Sequence, residues 1–217
     1  MLNNINIKEL NTILKKLSPI QNKLCPDINS IFIPFKLCTP QDCRVVILGQ
    51  SPYPQKGIAT GLAFANNPNT QEDKIPPSLR VLRNSCIDYT KVHNYPLEFD
   101  LSLESWAKQG VLLLNSALTT EINNTDAHIL LWRPFMISLL SELPKYNNNI
   151  IFALLGNQAK SFKGYIKSNF ILEENHPSYY ARLGKDMPSD IFHNINKIMK
   201  YLYNEKIAWY KEPLYEQ

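Results

Sequence analysis

The stretch Arg44-Val45-Val46-Ile47-Leu48-Gly49-Gln50-Ser51-Pro52-Tyr53-Pro54 decides how the rest of the chain is read. Val45 to Leu48 are apolar without alternation, the pattern of a strand buried on both faces. Gly49 stops the run, and polar and proline residues follow at once, so the strand ends in a turn. In an open α/β sheet, ligands bind beyond the carboxyl ends of the strands. The segment Gly49–Tyr53 is therefore the first place to look for a site.

Working outward, the same pattern recurs. Val111–Leu114 is a second buried run, ending at Asn115, and Asn149–Leu155 a third, ending at Gly156. A weaker fourth run, Phe170–Glu173, precedes Asn175-His176-Pro177-Ser178. Helical spacing fills the intervals. It covers Asn4–Leu17, a segment opening at Pro76-Pro77-Ser78 and reaching about Tyr89, Trp132–Leu143, Gln158–Lys167 and Ser189–Tyr203. Ser51–Pro77, rich in Gly, Pro and Asn, reads as a long functional loop. Strands that alternate with helices predict an α/β fold with a parallel sheet covered on both faces and right-handed crossovers. There is no internal repeat or low-complexity linker, so residues 1–217 are expected to form one domain.

Bulk properties narrow the function classes. Hydrophobic residues are 44% of the 217, enough for a full core, and the formal net charge is +4, which permits a nucleic-acid partner without demanding one. Cys25, Cys38, Cys43 and Cys86 form no Cys-x-x-Cys pair and have no histidine at a zinc-like offset, so reduced thiols and no metal are expected. The start of the chain lacks a basic segment followed by an apolar run, and no run is long enough to span a bilayer. A cytoplasmic or nuclear protein, with no membrane partner and no cofactor, is the expectation.

The strand-end segments also form an ordered set of motifs. These are Gly49-Gln50-Ser51-Pro52-Tyr53-Pro54, Gly61-Leu62-Ala63-Phe64, Ile75-Pro76-Pro77-Ser78-Leu79, Trp106 to Asn115, Leu118-Thr119, Leu155-Gly156-Asn157 and His176-Pro177-Ser178. In this order, over roughly Val45 to Trp209, the chain resembles the family 1 uracil-DNA glycosylases. The resemblance implies a three-layer α/β/α sandwich around a central, mainly parallel four-stranded sheet. It implies a monomer that acts on uracil in single- or double-stranded DNA. It also allows a proteinaceous glycosylase inhibitor or a replication protein as a further partner.

The implied roles meet a physical need, since a stacked base must be swung out into a shaped pocket before it can be processed. Phe64 would stack on the flipped ring, although read alone it is a core phenylalanine. Asn115 would read the pyrimidine edge with its donor and acceptor, although read alone it is a turn residue after a strand. Tyr53 would exclude the thymine methyl, and Gln50 would contribute contacts near the base, main-chain groups included. His176 would stabilise charge developing on O2. Of the other histidines, His93 and His193 read as surface or helix residues, and His128 falls in the loop after the Asn115 strand.

The DNA grip would come from turns with small hydroxyls and free N–H groups: Pro76, Pro77 and Ser78, then Gly156 and Asn157, then Pro177 and Ser178. Tyr180 falls where the family carries an apolar wedge that enters the base stack, and Arg182 with Lys185 would hold the backbone. A solvated charged turn accounts for those two equally well.

Ser51 breaks the pattern. The family has aspartate there, which positions water and balances positive charge on the sugar, whereas serine is uncharged. Pro54, where many relatives have histidine, is a lesser departure. Two functions follow. One is a uracil-DNA glycosylase slowed or altered by Ser51, with Ser51 and His176 as its catalytic pair. The other is a non-catalytic DNA-binding or replication-accessory protein that keeps the pocket. Retention of Gln50, Tyr53, Phe64, Asn115 and His176 together favours the enzyme.

Overall fold

The computed structural model describes residues 7–87, 98–188 and 190–211. Its strands are β1 (Leu24–Cys25), β2 (Val45–Gly49), β3 (Val111–Asn115), β4 (Thr120–Glu121), β5 (Ile151–Leu155) and β6 (Ile171–Glu174). Its α-helices are α1 (Ile7–Leu17), α2 (Ile33–Leu37), α3 (Pro77–Ser85), α4 (Glu104–Ala107), α5 (Ile129–Glu142), α6 (Asn157–Lys160), α7 (Pro177–Leu183) and α8 (Asp190–Tyr203).

The four expected strands pair in the order β3-β2-β5-β6, and every pairing is parallel. All residues of β2, β3 and β5 are buried, as continuous apolar runs require when helices cover both faces. Alternate side chains serve opposite layers. Val46, Leu48, Leu112, Leu114, Phe152 and Leu154 pack with residues of α1 and α5. Val45, Ile47, Val111, Leu113, Ile151 and Ala153 pack with α3, α4 and α8. The result is the three-layer α/β/α sandwich. Each fully buried aliphatic side chain contributes about 1.5–3 kcal/mol, so the two half-cores fix the strand register that aligns the loops.

Several sequence expectations need correction. The expected helix Gln158–Lys167 is a single α turn, α6, followed by a 3₁₀ turn at Lys163–Tyr165. Phe162 is fully buried beneath Arg133 of α5, whose guanidinium lies 4.7 Å from the ring centroid. That tertiary contact, with Gly164 just beyond it, overrides the local helical spacing. The two-stranded sheet of β1 and β4, and the short helices α2, α4 and α7, leave no mark in the periodicity; elements this short carry too few repeats to show one. The helix from Pro77 ends at Ser85, with the Cys86 N–H closing its last turn. Residues 4–6, Tyr89, His93 and Ser189 lie outside the described residues.

The carboxyl ends of β2, β3, β5 and β6 share one edge of the sheet, with Gly49 opposite Asn115 and Leu155 opposite Glu174. The loops after them are cross-tied. Ser116 donates to the Gly49 carbonyl through both its N–H (3.1 Å) and its hydroxyl (2.7 Å). Ala117 N donates to the Gln50 carbonyl at 3.2 Å, and Gly156 N to the Glu174 carbonyl at 2.8 Å.

Candidate active site

At that edge, Ser51, Pro52, Tyr53, Ala59, Gly61, Leu62, Phe64, Ser78, Asn115 and His176 line a partly open cleft. Its walls come from four parts of the chain, and each is held by a local device.

Phe64 lies against the end of β2. Ala63 N donates to the Leu113 carbonyl at 3.3 Å, which ties the Gly61–Phe64 segment to the outer edge of β3. Phe64 itself takes a left-handed backbone conformation, φ 66°. That is uncommon for a bulky residue and costs on the order of 1–3 kcal/mol. The conformation brings its ring to 5.4 Å from that of His176, centroid to centroid. Gly49 permits the approach, because a Cβ there would sit 2.8 Å from the Phe64 ring and 3.0 Å from Asn115 Oδ1.

Tyr53 is tethered by its hydroxyl, which donates to the Phe64 carbonyl at 3.0 Å and pairs with Ser78 Oγ at 3.1 Å. Burial pushes its phenol pKa up against the pull of the Ser78 hydroxyl, so the ring is a neutral wall. The sequence reading turns Ser78 toward DNA phosphate; its buried hydroxyl instead props Tyr53 from the first turn of α3, while Pro77 is exposed and Pro76 half-buried.

His176 caps α7. The Ser178 N–H donates to His176 Nδ1 at 3.2 Å, and Ser178 Oγ lies 2.8 Å from the same nitrogen. A backbone N–H can only donate, so Nδ1 is an acceptor and the ring proton sits on Nε2. Burial drives the imidazole pKa down to about 4, and the Arg182 guanidinium adds to the shift. The pocket thus holds a neutral histidine with one N–H to offer. Gly156, at φ 92°, lets it lie close, since a Cβ there would be 2.8 Å from the Cβ of His176.

Ser51 and Asn115 complete the lining. Asn115 is 6% exposed at the end of β3. Ser51 Oγ is buried, with no hydrogen-bond partner among the described residues. Gln50 is not part of the lining: its side-chain amide turns to Asp126, donating from Nε2 to Oδ2 at 2.6 Å.

On the rim, Asn157 and Arg182 are exposed, and Gly156 and Pro177 are buried. The Ser178 hydroxyl is engaged by His176. Tyr180 is half-buried, its hydroxyl donating to Glu174 at 2.7 Å, whereas Tyr179 (44%) and Leu183 (50%) are the exposed apolar residues of α7. His128 is buried as the N-cap of α5, with Nδ1 2.9 Å from Thr119 Oγ1. His193 is exposed on α8. Sequence reasoning missed the propping role of Ser78 and the Gln50–Asp126 pair. The first would show as a hydroxyl on a helix start beside a buried tyrosine, while the second joins residues 76 positions apart with no local signal.

The chain is similar to known proteins in both sequence and fold. The family described as the uracil DNA glycosylase superfamily matches residues 35–200. A uracil-DNA glycosylase of Mycoplasmopsis pulmonis is 37% identical over 195 residues, covering 87% of this chain and 84% of the relative. One of Borrelia duttonii is 37% identical over 185 residues, covering 84% and 79%. Among solved structures, mimivirus uracil-DNA glycosylase superposes with a TM-score of 0.78 at 24% identity, covering 95% of this chain and 82% of that one. A variant of the mimivirus protein in complex with UGI superposes with a TM-score of 0.76 at 25% identity, covering 93% and 82%.

Proposed function

The chain belongs to the uracil DNA glycosylase superfamily, and from that premise we propose how its pocket works on uracil swung out of DNA. The activity is that of a DNA-repair glycosylase: the N-glycosidic bond of uracil is hydrolysed and an abasic site remains. The observation that carries the reading is the meeting of Phe64, Tyr53, Asn115 and a neutral His176 around one cleft.

In the proposed mechanism the extruded base stacks on Phe64. Asn115 meets its donor–acceptor edge, and the wall of Tyr53, fixed by Ser78 and the Phe64 carbonyl, stands where a C5 methyl would clash. The C1′–N1 bond breaks with its electron pair leaving on the ring. His176 donates its Nε2–H to the charge gathering on O2, a contribution of roughly 2.7–4 kcal/mol for a well-placed donor. A neutral donor suffices for this step, because a hydrogen bond to the developing anion requires no proton transfer from the ring. Water then bonds to C1′, its proton passes to solvent, and the released uracil anion takes up a proton. Ser51 brings no charge against the cationic sugar, so the rate should fall below that of a site with a carboxylate there, by up to roughly 10²-fold.

DNA would lie across the rim carrying Pro76, Pro77, Asn157, Tyr180 and Arg182, where the exposed Asn157 and Arg182 side chains suit phosphates. The protein would act as a monomer in the compartment that holds the DNA. A protein inhibitor of the UGI kind would compete for the same rim.

The test is strand nicking of uracil-containing single- and double-stranded oligonucleotides after alkali treatment. The unsubstituted chain should nick, and the Asn115→Ala, His176→Ala double variant should not. Equal, background-level nicking by both, with salt-dependent DNA binding retained, would leave only a binding protein.

A further inference from the structure

The uncharged Ser51 leaves the pocket short of a carboxylate, yet one stands next door. Asp126 lies in the loop between β4 and α5, and its Oδ2 accepts the Gln50 amide at 2.6 Å. Its Oδ1 is buried, with no hydrogen-bond partner among the described residues. Gln50 is the immediate chain neighbour of Ser51, whose Oγ is buried and equally without a partner among those residues. Asp126 therefore gives one oxygen of a half-buried carboxylate to a neutral amide and leaves the other, buried, without a partner among the described residues. Buried polar atoms are ordinarily paired, and an exception calls for a reason.

The loop that carries Asp126 is built to hold it there. Asn123 N donates to the Pro54 carbonyl at 2.9 Å, which clamps this loop onto the one that carries Ser51. Ala127 N reaches Thr120 Oγ1 at 3.3 Å, and Ile129 N the Asp126 carbonyl at 3.2 Å. Asp126 itself adopts φ 65°, a conformation that aspartate and asparagine tolerate better than other side chains.

We propose that Asp126, seated by Gln50, supplies the negative charge that balances the cationic sugar in place of the carboxylate that Ser51 does not bring. It touches neither base nor sugar directly; it is a positioning and charge-supplying residue acting across Gln50 and Ser51. On this proposal a carboxylate at position 51 would make the charge of Asp126 redundant. The proposal rests on the glycosylase reading of the pocket.

Four proteins test it under single-turnover conditions on uracil-containing DNA: the unsubstituted chain, Asp126→Asn, Ser51→Asp and the double variant. Asparagine at 126 keeps an acceptor for Gln50 and tolerates the left-handed backbone, so the change removes charge and little else. We expect Asp126→Asn to lower the rate at least tenfold with KM changed less than threefold, and to cost less than threefold once Ser51→Asp is present. A further variant, Gln50→Met, unseats the carboxylate and should show the same dependence on background, which keeps the test decisive even where Asp126→Asn fails to fold. Equal losses in both backgrounds would overturn the proposal, because Asp126 would then merely brace its loop. No loss in either would overturn it too. Inactivity of all four, folded by circular dichroism, would instead sink the glycosylase reading and this proposal with it.

Discussion

His176 shows how one hydrogen bond can set a residue's chemistry. Because the Ser178 N–H donates to Nδ1, the tautomer follows from geometry, and the burial that drives the pKa down to about 4 keeps the ring neutral. We therefore expect the ¹⁵N shifts of His176 to report an Nε2–H tautomer at neutral pH and a titration midpoint near 4. A midpoint close to the ordinary 6.5 would refute the neutral-donor role. His176→Ala should lower the rate by about 10²–10³-fold, the usual effect of deleting one such donor. The sequence located this residue through its motif but could not show its charge state, which depends first on burial, with Phe64 brought against it from elsewhere in the chain, and then on Arg182 farther along α7.

At the level of elements, the strand ends do the positioning, and Gly156 is the tightest joint. It combines a positive φ of 92° with the close approach to His176. Gly156→Ala should strain the backbone by on the order of 1–3 kcal/mol and push the imidazole out of line. The expected result is a rate at least tenfold lower with KM little changed, since misplacement of a catalytic group by about 1 Å can cost 10²-fold. Rate and KM both unchanged would mean that the α7 start absorbs the shift. This joint also marks the limit of what the sequence discloses. Strands β2, β3 and β5 were legible because buried parallel strands are continuous apolar runs, the part-exposed edge strand β6 left only a weaker signal, and the loops beyond them followed from chain direction. Which way each loop side chain turns was not legible. Ser78 turned in to Tyr53, Gln50 turned away to Asp126, and Tyr180 found Glu174. Each choice is settled by a partner distant in sequence or by a helix turn too short to leave a periodic trace.

For the molecule as a whole, keeping histidines neutral inside the fold makes it sensitive to acid. Burial lowers the pKa of His176 from 6.5 to about 4, and burial also lowers that of His128 against the opposing pull of Glu121. Between those two values the unfolded chain binds a proton at His176 that the folded chain does not. Stability is therefore full above about pH 6.5, falls as the pH drops, and has lost this contribution by about pH 4. The His176 shift alone corresponds to about 3 kcal/mol, a large share of the roughly 5–15 kcal/mol typical of a domain. Urea unfolding at about pH 7 and about pH 4.5 should show a loss of about this size in the unsubstituted chain. In His176→Asn, which cannot titrate, the loss over the same interval should shrink to what His128 and the carboxylates contribute. Equal losses in the two proteins would assign the acid sensitivity to other groups. A shrunken loss would tie the state needed for catalysis to the one that folding stabilises, because both require an uncharged imidazole beneath Phe64.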